Sequence, residues 1–143
     1  MIAFDTNILL YAHRGDSPWH APADACLASL AESHAAWAIP WPCVHEFLAI
    51  TTHPRIFDPP TPVSDALEQI ECWQEAPGLV LIGEVPGHWS HLRPLVERGR
   101  IQGGRIHDAR IAALCLRHGV HELLTADRDF SRFPELATRN PLI

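Results

Sequence analysis

Four carboxylates of this 143-residue chain occur where neighbouring residues can aim them at one point. Asp5 directly follows the apolar run Ile2–Phe4, and the C-terminal end of a parallel strand is where open α/β sheets place their ligand sites. Glu46, Asp108 and Asp127 come later in settings that can direct them there too. At an effective dielectric of about 20, two carboxylates roughly 5 Å apart repel by about 3 kcal/mol. Because a divalent metal relieves this repulsion, the four acids predict a metal-dependent phosphoryl-transfer enzyme.

Each of these acids also has an ordinary structural explanation. Asp5 and Asp108 can each cap the start of a helix, which stabilises a helix by about 1 kcal/mol. Glu46 can be a solvated helix residue, although it is the only acid in the apolar segment 42–52, where a buried carboxylate needs a partner or a metal. Asp127 or Asp129 can cap a short helix after the strand that precedes them. Each position alone leaves both roles open, and it is their order and context together that favour a site.

Composition narrows the class of protein. The chain has eleven arginines, no lysine and a net charge of -6, which counts modestly against bulk nucleic-acid binding but says little about a locally focused site. Absence of lysine excludes P-loop NTPases, haloacid-dehalogenase phosphatases and response-regulator receivers, since each needs a lysine at its phosphate. No apolar run approaches the ~20 residues of a membrane span. We therefore expect a soluble, cytoplasmic protein of one domain, residues 1–143, without membrane contact.

The elements that must position the acids follow from hydrophobic periodicity. The pattern predicts strands at 2–4, 36–39, 79–82 and 122–125, with an edge strand at 141–143. It predicts helices from about Pro18 or Pro22 to His34, with Ser17 as a plausible cap, and at 42–52, 64–75, 88–98 and 108–118, the last ending at Gly119. Strands that are continuously apolar and alternate with helices indicate a parallel sheet covered on both faces. The predicted fold class is a three-layer α/β/α domain whose central parallel sheet has about five strands.

Cysteines and histidines give weaker signals. Four cysteines are widely spread without a C-x-x-C pair, which is typical of buried free thiols. Two H-x-x-H spacings, at His88/His91 and His118/His121, have no third ligand nearby and favour solvated histidines.

The sequence resembles the PIN-domain family, and within it the VapC-type toxin ribonucleases of type II toxin–antitoxin modules. The resemblance covers the whole chain in order, and it rests on four segments: Phe4-Asp5-Thr6-Asn7, His45-Glu46-Phe47, His107-Asp108-Ala109 and Leu124-Thr125-Ala126-Asp127-Arg128-Asp129-Phe130. Together these segments are specific, whereas any one alone is weak.

The resemblance implies a Mg²⁺- or Mn²⁺-dependent endoribonuclease with a PIN-like fold. Its acidic metal cluster would comprise Asp5, Glu46, Asp108 and Asp127, with Asp129 as a further acid and with Asn7 and Thr125 in support. It also implies a homodimer and neutralisation by a cognate VapB-type antitoxin that covers the active-site groove. Arg105, beside the site in sequence, and Arg55, in a proline-rich loop, are the candidate contacts for RNA phosphates.

Three alternatives stay open. Ten histidines allow a metal-independent ribonuclease that cuts by histidine acid–base chemistry. A PIN-like module can bind RNA or a protein without cutting. A small-molecule phosphatase is the weakest alternative, because the chain has no lysine.

Overall fold

A five-stranded sheet forms the centre of the computed structural model, which describes residues 1–143. The strands, all parallel and arranged in the order β3-β2-β1-β4-β5, are β1 (Ile2–Phe4), β2 (Trp37–Pro40), β3 (Leu79–Ile82), β4 (Glu122–Leu124) and β5 (Ala137–Arg139). The helices are α1 (Thr6–His13), α2 (His20–Glu32), α3 (Trp41–Thr51), α4 (Val63–Gln74), α5 (His88–Gly99) and α6 (Ile106–Arg117). Short 3-10 helices span Gly103–Arg105 and Arg128–Arg132. The predicted α/β class with a five-stranded parallel sheet is confirmed.

Two groups of helices cover this sheet. Helix α1 packs against both α2 and α3, α3 packs against α4, and α5 packs against α6. The chain moves from β1 to β3 through α1–α4 and then crosses back to β4 through α5 and α6. Right-handed crossovers therefore place the two groups on opposite faces of the sheet.

The core lies where the central strands meet these helices. Strands β1, β2 and β4 are buried along nearly their whole length, and the rings of Phe4 and Trp37 meet edge to face with centroids 5.5 Å apart. All residues of β5 are exposed, and Val80 on β3 is 41% exposed. The prediction of β3 as a buried strand is therefore wrong, because β3 is an edge strand.

Strand β1 lies between β2 and β4, so the path of the chain reverses at this position in the sheet. A crevice forms outside the carboxyl ends of strands at such a switch point, and ligand sites of open α/β sheets occur there. Asp5 follows β1, and Thr125 and Asp127 follow β4. The topology thus gathers residues 120 positions apart at one edge of the sheet.

Several predicted boundaries differ from the structure. Helix α1 was not predicted, because the run from Ile8 to Tyr11 is apolar and its helical period is too short to recognise. Ser17 does not cap α2, which begins at His20 after Trp19 without a side-chain cap. The predicted strand at 141–143 is wrong, because the edge strand lies at Ala137–Arg139. Gly119, with φ 74°, follows the end of α6 in the left-handed conformation that glycine favours.

No helix is long and apolar enough to cross a membrane. All four cysteines are free thiols, but Cys72 is exposed rather than buried as predicted.

Candidate active site

Asp5 is fixed at the junction of β1 and α1. Its backbone N–H donates to the carbonyl oxygen of Leu124 on β4 at 3.0 Å, which ties the junction to the neighbouring strand. Its Oδ1 accepts from the backbone N–H of Thr6 at 2.8 Å, so Asp5 is the N-cap of α1. The carboxylate is only 6% exposed. Asp5 therefore caps α1, as a structural role would require, but the cap uses only one of its two carboxylate oxygens.

The second oxygen of Asp5 faces two polar side chains. Thr125 Oγ1 donates to Asp5 Oδ2 at 2.7 Å, and Asn7 Nδ2 donates to the same oxygen at 3.1 Å. Asn7 also accepts from the backbone N–H of Ala126 at 3.1 Å, and Thr125 Oγ1 accepts from the backbone N–H of Asp127 at 3.0 Å. Asn7 and Thr125 therefore couple Asp5 directly to the loop that carries Asp127.

Burial raises the pKa of Asp5 above its usual range, and the hydrogen bonds from Thr125 and Thr6 oppose part of that rise. The negative charge of Asp127 raises this pKa further. The Cys43 thiol donates to Asp5 Oδ1 at 3.8 Å. Asp5 is thus a buried carboxylate whose ionised form gains from any additional positive charge nearby.

Three other acids converge beside it. Oxygen atoms of Asp108, Asp127 and Asp129 lie within 4.8 Å of one another. Asp127 caps the 3-10 helix Arg128–Arg132 by accepting from the backbone N–H of Asp129 at 2.8 Å. Asp108 is the third residue of α6 and makes no capping hydrogen bond. The helix-cap explanation therefore holds for Asp127 and fails for Asp108.

All four other acids of the site affect the pKa of Asp108. Partial burial, followed by the charges of Asp127, Asp5, Glu46 and Asp129, raises the pKa of Asp108 from 3.8 to about 6. Asp5 and Glu46 are thus close enough to affect Asp108, although their carboxylates lie outside the 4.8 Å set. The site has a tight group of three aspartates and two flanking acids.

Glu46 faces the same site from α3. Burial is the main cause of its raised pKa, and the charge of Asp5 adds to the rise, while His107 and Arg110 oppose it. The nearby hydroxyl of Thr6 also lowers the pKa of Glu46. This hydroxyl is buried and has no hydrogen-bond partner within bonding distance and angle. An unpartnered buried hydroxyl next to two carboxylates is a polar atom that a water or an ion ligand would satisfy.

These donors fit a hard divalent cation. Mg²⁺ and Mn²⁺ prefer carboxylate oxygen, and Mg²⁺ usually binds one or two carboxylates directly and keeps several waters. Asp108, Asp127 and Asp129 supply closely spaced oxygens, and Asp5 and Glu46 supply flanking negative charge. The residues present therefore match the cation that the sequence predicts.

The two predicted phosphate-contact arginines have different locations. Arg105 lies at the acidic group, with Nη1 2.9 Å from Asp129 Oδ1 and both side chains about half exposed. Arg55 is exposed in the loop beyond the C-terminal end of α3, where its backbone N–H donates to His53 Nδ1. The structure does not bring Arg55 to the acids.

A cavity of about 440 Å³ opens beside Glu46 and Asp108. Its other lining residues are Pro42, His45, Gly104, His107 and Arg110. His45 and His107 belong to the segments that carry the family resemblance, but the sequence assigns no role to them or to Arg110. The available signal is that each lies within two residues of Glu46 or Asp108 in the sequence.

Comparisons with known proteins agree with this architecture. The family model described as PIN domain matches residues 2–136. The chain is 33% identical over 142 residues to the VapC ribonuclease Mb2897 of Mycobacterium bovis, covering 99% of this chain and 96% of the relative. It is 32% identical over 143 residues to ribonuclease VapC25 of Mycobacterium tuberculosis, covering 100% of both.

Solved structures share the fold at lower identity. VapBC2 of Rickettsia felis, solved bound to a promoter DNA fragment, matches with a TM-score of 0.68 and 20% identity over 98% of both chains. The sarcin-ricin loop cleaving toxin VapC20 of Mycobacterium tuberculosis matches with a TM-score of 0.69 and 13% identity, covering 92% of this chain and 93% of that one. These structures show the shared fold. The family model covers residues 2–136 and a relative is 33% identical over 99% of the chain, so the chain belongs to the PIN domain family.

Proposed function

We propose that this chain is a VapC-type toxin, an endoribonuclease that depends on Mg²⁺ or Mn²⁺ and acts as a single nuclease domain over residues 1–143. The observation that carries the proposal is the convergence of Asp108, Asp127 and Asp129 within 4.8 Å, beside the buried Asp5. Full-length relatives named as VapC ribonucleases support the reaction class. The proposed catalytic and metal-binding residues are Asp5, Glu46, Asp108 and Asp127, with Asp129 as a further ligand.

The chain's own residues prepare the site before any substrate arrives. Asn7 and Thr125 fix the orientation of Asp5, and the cap at Asp127 fixes the turn that presents Asp129. A bound divalent ion would neutralise the acids, stabilise charge on the phosphoryl group and make water a stronger nucleophile at neutral pH. Hydrolysis adds the water oxygen to phosphorus and releases the 3′-oxygen, which takes up a proton. The proposed products carry a 5′-phosphate and a 3′-hydroxyl.

The proposed partners follow from the same family. Solved relatives include VapBC assemblies, which support a VapB-type antitoxin as the inhibitor of this chain. We propose a homodimer as the toxin's own assembly, to be tested by light scattering against the 16.0 kDa monomer mass. Since the proposed substrate is cellular RNA, the proposed site of action is the cytoplasm.

Cleavage of RNA by the purified protein tests the proposal. Cleavage is expected with Mg²⁺ or Mn²⁺, is abolished by EDTA, and is lost in Asp5→Asn and Asp108→Asn. Full activity in EDTA, or in either variant, would overturn the metal-dependent mechanism. RNA binding without cleavage across several metals would instead identify a non-catalytic module.

A second candidate mechanism has one observation in its favour, because His45 and His107 both line the cavity. Two histidines can cut RNA as an acid–base pair without a metal. That route uses the 2′-oxygen as nucleophile and leaves 2′,3′-cyclic phosphate ends, so analysis of the product ends separates the two mechanisms.

A further inference from the structure

We propose that Trp41 and His45 form a stacking platform for an unpaired nucleobase next to the scissile phosphate. This inference rests on the proposed ribonuclease function and adds a substrate-binding subsite to it. Trp41 and His45 are the first and fifth residues of α3, so they lie on the same face of the helix, one turn apart. Glu46, one of the flanking acids, follows His45 directly. The platform and the acidic site therefore share one rigid element.

The two rings form a continuous surface. Their centroids are 6.0 Å apart with an angle of 34° between the planes. His45 is exposed, and Trp41 is 38% exposed although it is a large apolar side chain. An aromatic pair open to solvent at the edge of an active site is the feature that single-stranded RNA uses, because unpaired bases stack on aromatic faces.

Contacts on the far side of Trp41 hold the indole in place. A Cβ atom added to Gly83 would lie 3.1 Å from Trp41 Cδ1, so the indole rests directly on the backbone after β3. The carbonyl oxygen of Gly83 accepts from His118 Nε2 at 2.9 Å, which ties this backbone to the end of α6. The next residue, Glu84, pairs with Arg110 on α6. A ring fixed in this way loses little conformational entropy when a base stacks on it.

The cavity beside the platform has a mixed lining. Glu46 and Asp108 supply its acidic lining, and His45, His107 and Arg110 supply aromatic and cationic lining beside them. A nucleotide whose phosphate is held at the acids by a bound divalent ion would direct its base toward His45, and Trp41 extends that aromatic surface by one helical turn. Arg110 is then available to contact a neighbouring phosphate with the N–H groups that Glu84 does not use.

Stacking on a π face requires an unpaired base but tolerates any base, because every base presents such a face. The platform therefore selects single-stranded over double-stranded RNA more than it selects one base over another. Removing the indole should weaken single-strand affinity by about 10-fold, the usual effect of losing one aromatic stacking partner.

Binding of a 2′-O-methyl RNA oligonucleotide tests this proposal. Such an RNA has no free 2′-hydroxyl, and Asp108→Asn as the background removes metal-dependent hydrolysis, so binding is measured without cleavage under either mechanism. Fluorescence anisotropy then compares Trp41→Ala, Trp41→Phe and His45→Ala with the background protein, for the single strand and for its duplex. Trp89→Ala is the matched control, because Trp89 is 67% exposed on α5 and, unlike Trp41, makes no ring contact with His45.

The proposal predicts weaker single-strand binding by about 10-fold in Trp41→Ala and a smaller loss in His45→Ala. It also predicts near-normal binding in Trp41→Phe, no change in Trp89→Ala and little change for the duplex. Equal losses for single strand and duplex, or unchanged affinity in both Trp41→Ala and His45→Ala, would overturn it. Cleavage assays on the proteins without Asp108→Asn report separately on the proposed function, which stands if cleavage persists while the platform fails.

Discussion

Replacing Asp108 by asparagine will make the metal-free protein more stable than the matched replacement of Asp65. Both aspartates are the third residue of a helix, Asp108 in α6 and Asp65 in α4, so both variants lose the same favourable interaction with a helix N-terminus. Only Asp108 stands among other acids, since Asp127, Asp5, Glu46 and Asp129 all contribute to its raised pKa. Partial burial is the largest cause of that rise, whereas Asp65 is exposed, so the pair of variants isolates the combined cost of burial and repulsion at Asp108.

The magnitude follows from the pKa of Asp108. A rise from 3.8 to about 6 corresponds to about 3 kcal/mol of unfavourable free energy for the ionised form. Because the side chain is only partly buried, solvent screening reduces this to about 1 kcal/mol. The loss of the helix-terminus interaction, about 0.5 kcal/mol, cancels between the two variants. We expect Asp108→Asn to exceed Asp65→Asn by about 1 kcal/mol, or about 2–4 °C in melting temperature.

Thermal unfolding in EDTA at about pH 7.5 measures this difference, because Asp108 is ionised at a pH roughly 1.5 units above its pKa. Adding Mn²⁺ should then stabilise the wild type and Asp65→Asn by mass action, and should stabilise Asp108→Asn less. An Asp108→Asn protein that melts below Asp65→Asn in EDTA would refute the reasoning, because Asp108 would then have a structural role.

Three further outcomes are expected. As pH rises from about 4 to 7, the metal-free wild type should lose stability relative to Asp108→Asn. The folded state keeps the Asp108 proton up to about pH 6, whereas the unfolded state releases it near 3.8. A stability difference between the two proteins that stays the same at all pH values would contradict this. Thr125→Val removes the hydroxyl that donates to Asp5 and should lower the free energy of unfolding in urea by about 1–3 kcal/mol. Thr138→Val, on the exposed strand β5, should lower it little, and equal losses in the two variants would refute the role of Thr125. Arg105→Gln frees Asp129 from its ion pair, so it should tighten Mn²⁺ binding measured by calorimetry and weaken RNA binding. The control variant Arg98→Gln, which breaks the ion pair with Glu135, should change neither. Weaker Mn²⁺ binding in Arg105→Gln would count against Asp129 as a ligand.

Sequence patterns predicted the fold class and the central strands because these strands are continuously apolar. They missed β5, since Ala137–Arg139 is exposed along its whole length and pairs only through its backbone. They also missed α1, whose eight residues give too short a period to separate from a strand.

The sequence identifies four of the acids because they follow a strand or begin a helix, namely Asp5, Asp108, Asp127 and Asp129. It identifies Glu46 because this residue is the only acid in an apolar helix. The pairing of Arg105 with Asp129 and the contact of Trp41 with His45 have weaker signals. An ion pair across two loops depends on tertiary approach, which spacing along the chain does not encode. Two aromatic residues one turn apart on a helix are visible in the sequence, but their exposure beside the site is not.

A crystal structure of the protein soaked with Mn²⁺, with anomalous scattering used to locate the metal, tests the central claim most directly. We predict an anomalous peak bound by carboxylate oxygens from the proposed metal-binding group, which comprises Asp5, Glu46, Asp108 and Asp127, with Asp129 as a further ligand. The same soak of Asp108→Asn should give a weaker peak or none. A fully active protein whose crystals hold no Mn²⁺ at these carboxylates would contradict the claim.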